Sequence, residues 1–176
     1  MPSPVRFTSA DIRRLFGLLN EELAARDTLG EVYVVGGAVM CLALNARDAT
    51  RHLDAFFKPA NMVRQAAARV AARADVPDTW LNDAAKGFLG ARGEYSSFLD
   101  LSHLRVYVAS VPYLLAMKCM AMRLGEEFQD VGDVRFLLRA LNITTLDAAV
   151  ATITRYFDES DLSPKTRFAL EEILAG

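Results

Sequence analysis

Gly36-Gly37 follows the run Val32-Tyr33-Val34-Val35 and precedes an apolar stretch that begins at Ala38. Glycine at a strand-to-helix turn lets the backbone approach a ligand closely, and the helix start beyond it offers N–H groups to a phosphate. A plain tight turn would use the same residues. Farther on, Thr50-Arg51-His52-Leu53-Asp54 leads into Ala55-Phe56-Phe57. Side chains alternate along a strand, so His52 and Asp54 share one face while Leu53 and Ala55 turn to the core. Two metal-capable side chains beside a phosphate-compatible turn suit phosphoryl transfer with a divalent metal. Polar residues facing solvent from a strand edge are the simpler alternative.

Lys118 is the only charge among the twelve residues 111–122. A lysine in such apolar company either snorkels to water or serves a phosphate. Asp130 and Asp133 stand three apart and share a helix face. They compensate a helix dipole, form an ion-pair cluster, or orient a site cation. Residues 47–73 carry six cations, Arg47, Arg51, Lys58, Arg64, Arg69 and Arg73, against two carboxylates. That patch suits a nucleotide or an RNA end, or is a solvated helix face.

These residues together resemble the nucleotidyltransferase superfamily of the DNA polymerase β type. The small bacterial branch near AbiEii- and MenT-like toxins is the most similar. Its pattern is Gly-Gly or Gly-Ser, a helix, then Thr-x-Asp-x-Asp, whose carboxylates hold Mg²⁺ against nucleotide phosphates. Gly36, Gly37, Thr50 and Asp54 match; His52 stands where the first carboxylate belongs. Imidazole suits transition metals better than Mg²⁺, so the departure bears on activity more than on fold.

The resemblance implies further roles. Gly36, Gly37, Thr50, Arg51, Arg123 and Asp130 would bind nucleotide, and Asp54, Lys118 and Asp133 would be catalytic. Asp54, His52 and Asp100 would hold Mg²⁺, with Mn²⁺ as an alternative. The implied activity is transfer of a nucleotidyl group from an NTP to an RNA or protein hydroxyl, in a toxin–antitoxin or defence setting with a cognate antitoxin. The alternative is a degenerate member that binds a nucleotide or a partner without catalysis. A structural interaction module with an empty glycine turn is the third reading.

The elements that must position these residues follow from periodicity. Ile12, Leu15, Phe16, Leu19 and Leu23 recur at helical spacing, which predicts a helix to about Asp27 capped by Ser9 or Thr8. Strands are expected at 32–35 and 52–57, with a short helix over 38–45 between them. Asn61 should cap an amphipathic helix, and a short helix over 78–88 should bury Trp80. After a glycine loop at 90–93, strands at 98–101 and 104–108 read as a hairpin, with His103 in its turn. Helices are expected over 112–124, 130–141, 145–157 and 164–175, with Pro112 in a first turn and Thr145 and Ser163 as caps.

The order implies an α/β (α+β) fold: a small mixed β-sheet core with flanking helices and a helical C-terminal part. The expected division is a core over 1–110 and a helical region over 111–176 packed on it as one compact unit. The 176 residues are 52% hydrophobic, 24% charged and carry a formal net charge of −2, which argues for a packed core and against broad electrostatic binding of nucleic acid. Cys41 and Cys119 lie in apolar helical stretches and read as buried free thiols. No apolar run reaches the roughly 18 residues of a membrane helix, nor does the start read as a signal peptide, so a soluble cytoplasmic protein is expected.

Overall fold

The computed structural model describes residues 3–83, 92–122 and 130–176. The chain divides into two compact units. The first takes in described residues 3–83 and 95–108; the second takes in 92–94, 109–122 and 130–176.

The first unit opens with β1 (Phe7–Thr8) and α1 (Ser9–Ala24). Thr8 is the N-cap, in a capping box with Asp11: the Thr8 hydroxyl accepts from the Asp11 N–H and Asp11 accepts from the Thr8 N–H. Next come β2 (Gly30–Val35), α2 (Gly37–Leu42), β3 (Ala49–Thr50), β4 (Leu53–Lys58) and α3 (Ala60–Ala74). The unit ends with β5 (Leu81–Asn82), β6 (Tyr95–Asp100) and β7 (Leu104–Ala109).

Five strands form one mixed sheet in the order β5-β4-β2-β7-β6. β2 is antiparallel to β4 and parallel to β7, and β4 is parallel to β5. One face carries Val32, Val34, Ala55, Phe57, Val106 and Val108, all buried, as period-two alternation requires. Helices α1 and α3 pack together, and their Ile12, Leu15, Phe16, Val63 and Val70 complete this core.

The other face carries aromatic rings in register. Tyr33 stacks between Phe56 and Tyr107 at centroid separations of 4.4 and 4.9 Å, and Tyr95 meets Tyr33 and Phe56 edge to face. Burial and the hydrogen bond to Glu31 push the Tyr33 phenol up to about 12.

The second unit holds α4 (Val111–Met120), α5 (Asp130–Ala140), α6 (Leu146–Thr154) and α7 (Pro164–Ala175). Ser110, Thr145 and Ser163 cap α4, α6 and α7 through their hydroxyls. Tyr113, Leu114, Leu137, Ile153 and Leu170 are buried among these helices.

Several expectations need correction. Residues 78–83 are not helical: Trp80 is fully buried, but it precedes β5 and gives its indole N–H to the Ala67 carbonyl. Pro59 rather than Asn61 is the N-cap of α3, and Asn61 accepts from Arg64 inside it. β2 begins at Gly30 and β6 at Tyr95, each earlier than the apolar runs indicated. Residues 84–91 and 123–129 lie outside the described residues, and with them the expected glycine loop start and Arg123. No helix among the described residues is long and apolar enough to cross a membrane.

Candidate functional site

The pairing of β2 with β4 sets Val35 opposite Asp54, which brings the glycine turn to the start of β4. Gly36 has φ 70° and ψ −150°, a backbone conformation costly for any residue with a Cβ. A Cβ there would also lie 3.4 Å from Asp54 Oδ2. Gly37 is constrained differently. A Cβ on it would stand 2.6 Å from Arg47 Nη1, so the guanidinium occupies the space that the absent side chain leaves.

Asp54 is half-exposed and already engaged. Asn82 Nδ2 donates to its Oδ1 at 2.7 Å, because Asp54 and Asn82 stand opposite in the parallel β4–β5 pair. His52 Nε2 lies 3.4 Å from the same oxygen. The alternation that set His52 and Asp54 on one face therefore describes the structure, and Leu53 and Ala55 are fully buried behind them. Thr50 pairs with Phe7 and gives its hydroxyl to the His52 carbonyl at 3.1 Å; Arg51 is exposed. The resulting group is Gly36, Gly37, Arg47, His52, Asp54 and Asn82 around one end of the sheet.

Asp100 is not part of it. It lies at the hairpin end of β6 and faces Arg105 Nε at 3.5 Å. Arg105 pairs with Glu31, four positions along β2 from Val35, so Asp100 and Asp54 are separated by about 13 Å of strand length.

The expected Mg²⁺ or Mn²⁺ site is thereby overturned. Among the described residues no three or more His, Cys, Asp or Glu side chains come together as a metal would require. The carboxylate of Asp54 has Asn82 and His52 as its neighbours, an amide and an imidazole, and it is at His52 that the resemblance implied a carboxylate. Oxygen-rich, multi-carboxylate coordination is what Mg²⁺ demands, and His52, Asp54 and Asp100 do not supply it.

Within the second unit, Lys118 Nζ lies 2.7 Å from Asp133 Oδ2 and 3.9 Å from Asp130 Oδ1. All three side chains are largely buried, at 14%, 8% and 9% exposure respectively. The lysine points at the start of α5 and satisfies its acidic first turn, so it does not snorkel to water.

The basic run of 47–73 is neutralised along α3. Arg69 Nε and Arg73 Nη1 bind Glu22 at 2.7 and 2.9 Å, Arg73 Nη2 binds Glu21 at 2.8 Å, and Arg64 binds Asp83. These acids come from outside the run, so sequence counting could not credit them. The hydrogen bond from Arg69 holds the Glu22 carboxyl below the usual glutamate range. Sequence reading also passed over Asn82, a lone asparagine with no motif, and treated Arg47 only as one charge of a patch. Strand pairing and the Gly37 contact give them their places. No family model, curated protein or solved structure matches this chain.

Proposed function

We propose that the chain is a degenerate nucleotidyltransferase-fold protein that binds a nucleotide through its phosphates without a divalent metal and does not transfer it. The resemblance at Gly36, Gly37, Thr50 and Asp54 supports the superfamily assignment, as does a mixed sheet that sets the glycine turn beside Asp54. The observation that carries the reading is the contact of Arg47 with Gly37 next to an Asp54 held by Asn82. A guanidinium is a fixed cation with donors matched to phosphate oxygens, so Arg47 supplies positive charge where a metal would otherwise bridge the phosphates. Asp54, tied to an amide and an imidazole, shapes the turn and is not a metal ligand.

The test is calorimetric titration of each NTP in the presence of a chelator, with a parallel assay for incorporation of α-labelled nucleotide. Binding should persist in the chelator, weaken roughly tenfold in Arg47→Ala, and proceed with no incorporation. Absence of NTP binding under every condition defeats the proposal. So does incorporation by the wild type that Asp54→Ala abolishes.

A further inference from the structure

The glycine turn and the ring stack belong to one face of the central sheet. Side chains alternate along β4, so Asp54, Phe56 and Lys58 share the face opposite the buried Leu53, Ala55 and Phe57. Phe56 stands two residues past Asp54, about 7 Å along the strand. A ribose and its 5′-phosphate span such a gap.

Cross-strand register builds the stack. Tyr33 is opposite Phe56 in the β2–β4 pair and opposite Tyr107 in the β2–β7 pair. The three rings are nearly parallel, with Tyr33 inclined by 1° to Phe56 and by 14° to Tyr107, and follow the order Tyr107, Tyr33, Phe56 across the sheet. Tyr95 meets Tyr33 and Phe56 edge to face, which fixes both rings. The series stops at Phe56. β5 pairs with β4 only at Leu53 and Asp54, so among the described residues no strand stands beside Phe56 and no ring stacks on its outer face. Phe56 is accordingly half-exposed.

The size of that surface selects its occupant. Asp54 and Lys58 flank Phe56 on the same strand face, so the apolar area presented there is one ring face between two charges. A protein partner needs about 800 Å² of contact, whereas a nucleobase needs one flat ring to stack on. We propose that the base of a purine nucleotide stacks on the outer face of Phe56, as the fourth ring of the Tyr107–Tyr33–Phe56 series, with its phosphates at the Gly36–Gly37 turn. The inference rests on the phosphate-binding reading above and adds the chemical class of the ligand. Two fused rings cover more of Phe56 than one, which favours purines over pyrimidines. The rings are fixed before the ligand arrives, so little side-chain freedom is lost on stacking.

Calorimetric titration of tripolyphosphate, ATP, GTP, CTP and UTP in chelator tests this on the wild type, Phe56→Leu and Phe56→Trp. The wild type should bind ATP and GTP roughly tenfold more tightly than tripolyphosphate, with CTP and UTP between. Phe56→Leu should erase that margin and leave the affinity for tripolyphosphate unchanged. Phe56→Trp should keep the margin, and its added fluorescence should be quenched by ATP or GTP but not by tripolyphosphate. Trp80 is fully buried and supplies a constant background. Equal affinity of the wild type for tripolyphosphate and the purine nucleotides overturns the stacking and leaves the phosphate-binding reading standing. Binding of none of the five overturns both. A Phe56→Leu protein that loses tripolyphosphate as much as ATP marks a structural role and overturns the proposal, as does equal affinity for purines and pyrimidines.

Discussion

Asn82 on β5 donates its side-chain N–H to Asp54 on β4 at 2.7 Å, across a parallel pair that sets the two residues opposite each other. The bond fixes the carboxylate beside the glycine turn and supplies a neutral amide where a second acid would complete a metal site. Asn82→Ala should therefore lower unfolding free energy by about 1 kcal/mol, the usual net worth of an intramolecular hydrogen bond. Urea denaturation of the two proteins checks this, and an unchanged midpoint would show that the bond contributes nothing.

Gly37 and Arg47 should be energetically coupled. Gly37→Ala places a methyl against the guanidinium and should cost about 1–3 kcal/mol, as overpacking does. In an Arg47→Ala background the same substitution should cost measurably less, because the space is then vacant. A double-mutant cycle in urea gives the coupling directly. Gly36→Ala should be costly in both backgrounds, since its penalty lies in its own backbone.

Removing Lys118 leaves Asp130 and Asp133 buried without their shared cation. Lys118→Met should destabilise by about 3 kcal/mol, the cost typical of breaking one side of a buried pair. Thermal melting followed by circular dichroism should show a large drop for this variant. A near-wild-type melting temperature would mean that the lysine does not hold the two acids.

Acid should weaken the attachment of α1 to α3. The hydrogen bond from Arg69 lowers the Glu22 pKa in the folded chain, so this group favours folding above its unfolded pKa. That contribution is lost as pH falls from the ordinary glutamate range through the depressed folded value. Glu22→Gln should be less stable than wild type at neutral pH and lose less stability on acidification. Urea midpoints measured at pH 7 and in the acid range compare the two slopes; parallel slopes would reject the linkage.

Both thiols should be silent in the native state. Cys41 and Cys119 are buried and free, and burial pushes both pKa values up, that of Cys119 to about 12. Thiolate is the reactive form, so a disulfide-exchange reagent should label neither quickly before denaturation. Rapid labelling of the native chain would show local opening around α2 or α4.

What could be read in advance depended on the range of the interaction. The apolar spacing of Ile12, Leu15, Phe16, Leu19 and Leu23 marks one buried helix face, and those five residues are indeed buried. Alternation set His52 with Asp54 and buried Leu53 and Ala55. Trp80 shows the limit. Its burial is legible in the sequence, but the helix expected around it is absent, because a two-residue strand has no periodicity to detect.

By itself, then, the sequence determined the mixed α/β order, the helix caps at Thr145 and Ser163, a cap at Ser9 or Thr8 that the structure resolves to Thr8, and the buried faces, all of which arise from neighbours in the chain. Only the tertiary structure decided what each charged group meets. It gave Arg69 and Arg73 to Glu22, Lys118 to Asp133, Asn82 to Asp54, and carried Asp100 to the far end of the sheet. Hydrophobic patterning is repeated over many residues and so survives in the sequence, whereas an ion pair is one contact between distant positions. Its partner is fixed by strand register and helix packing, which no local spacing encodes.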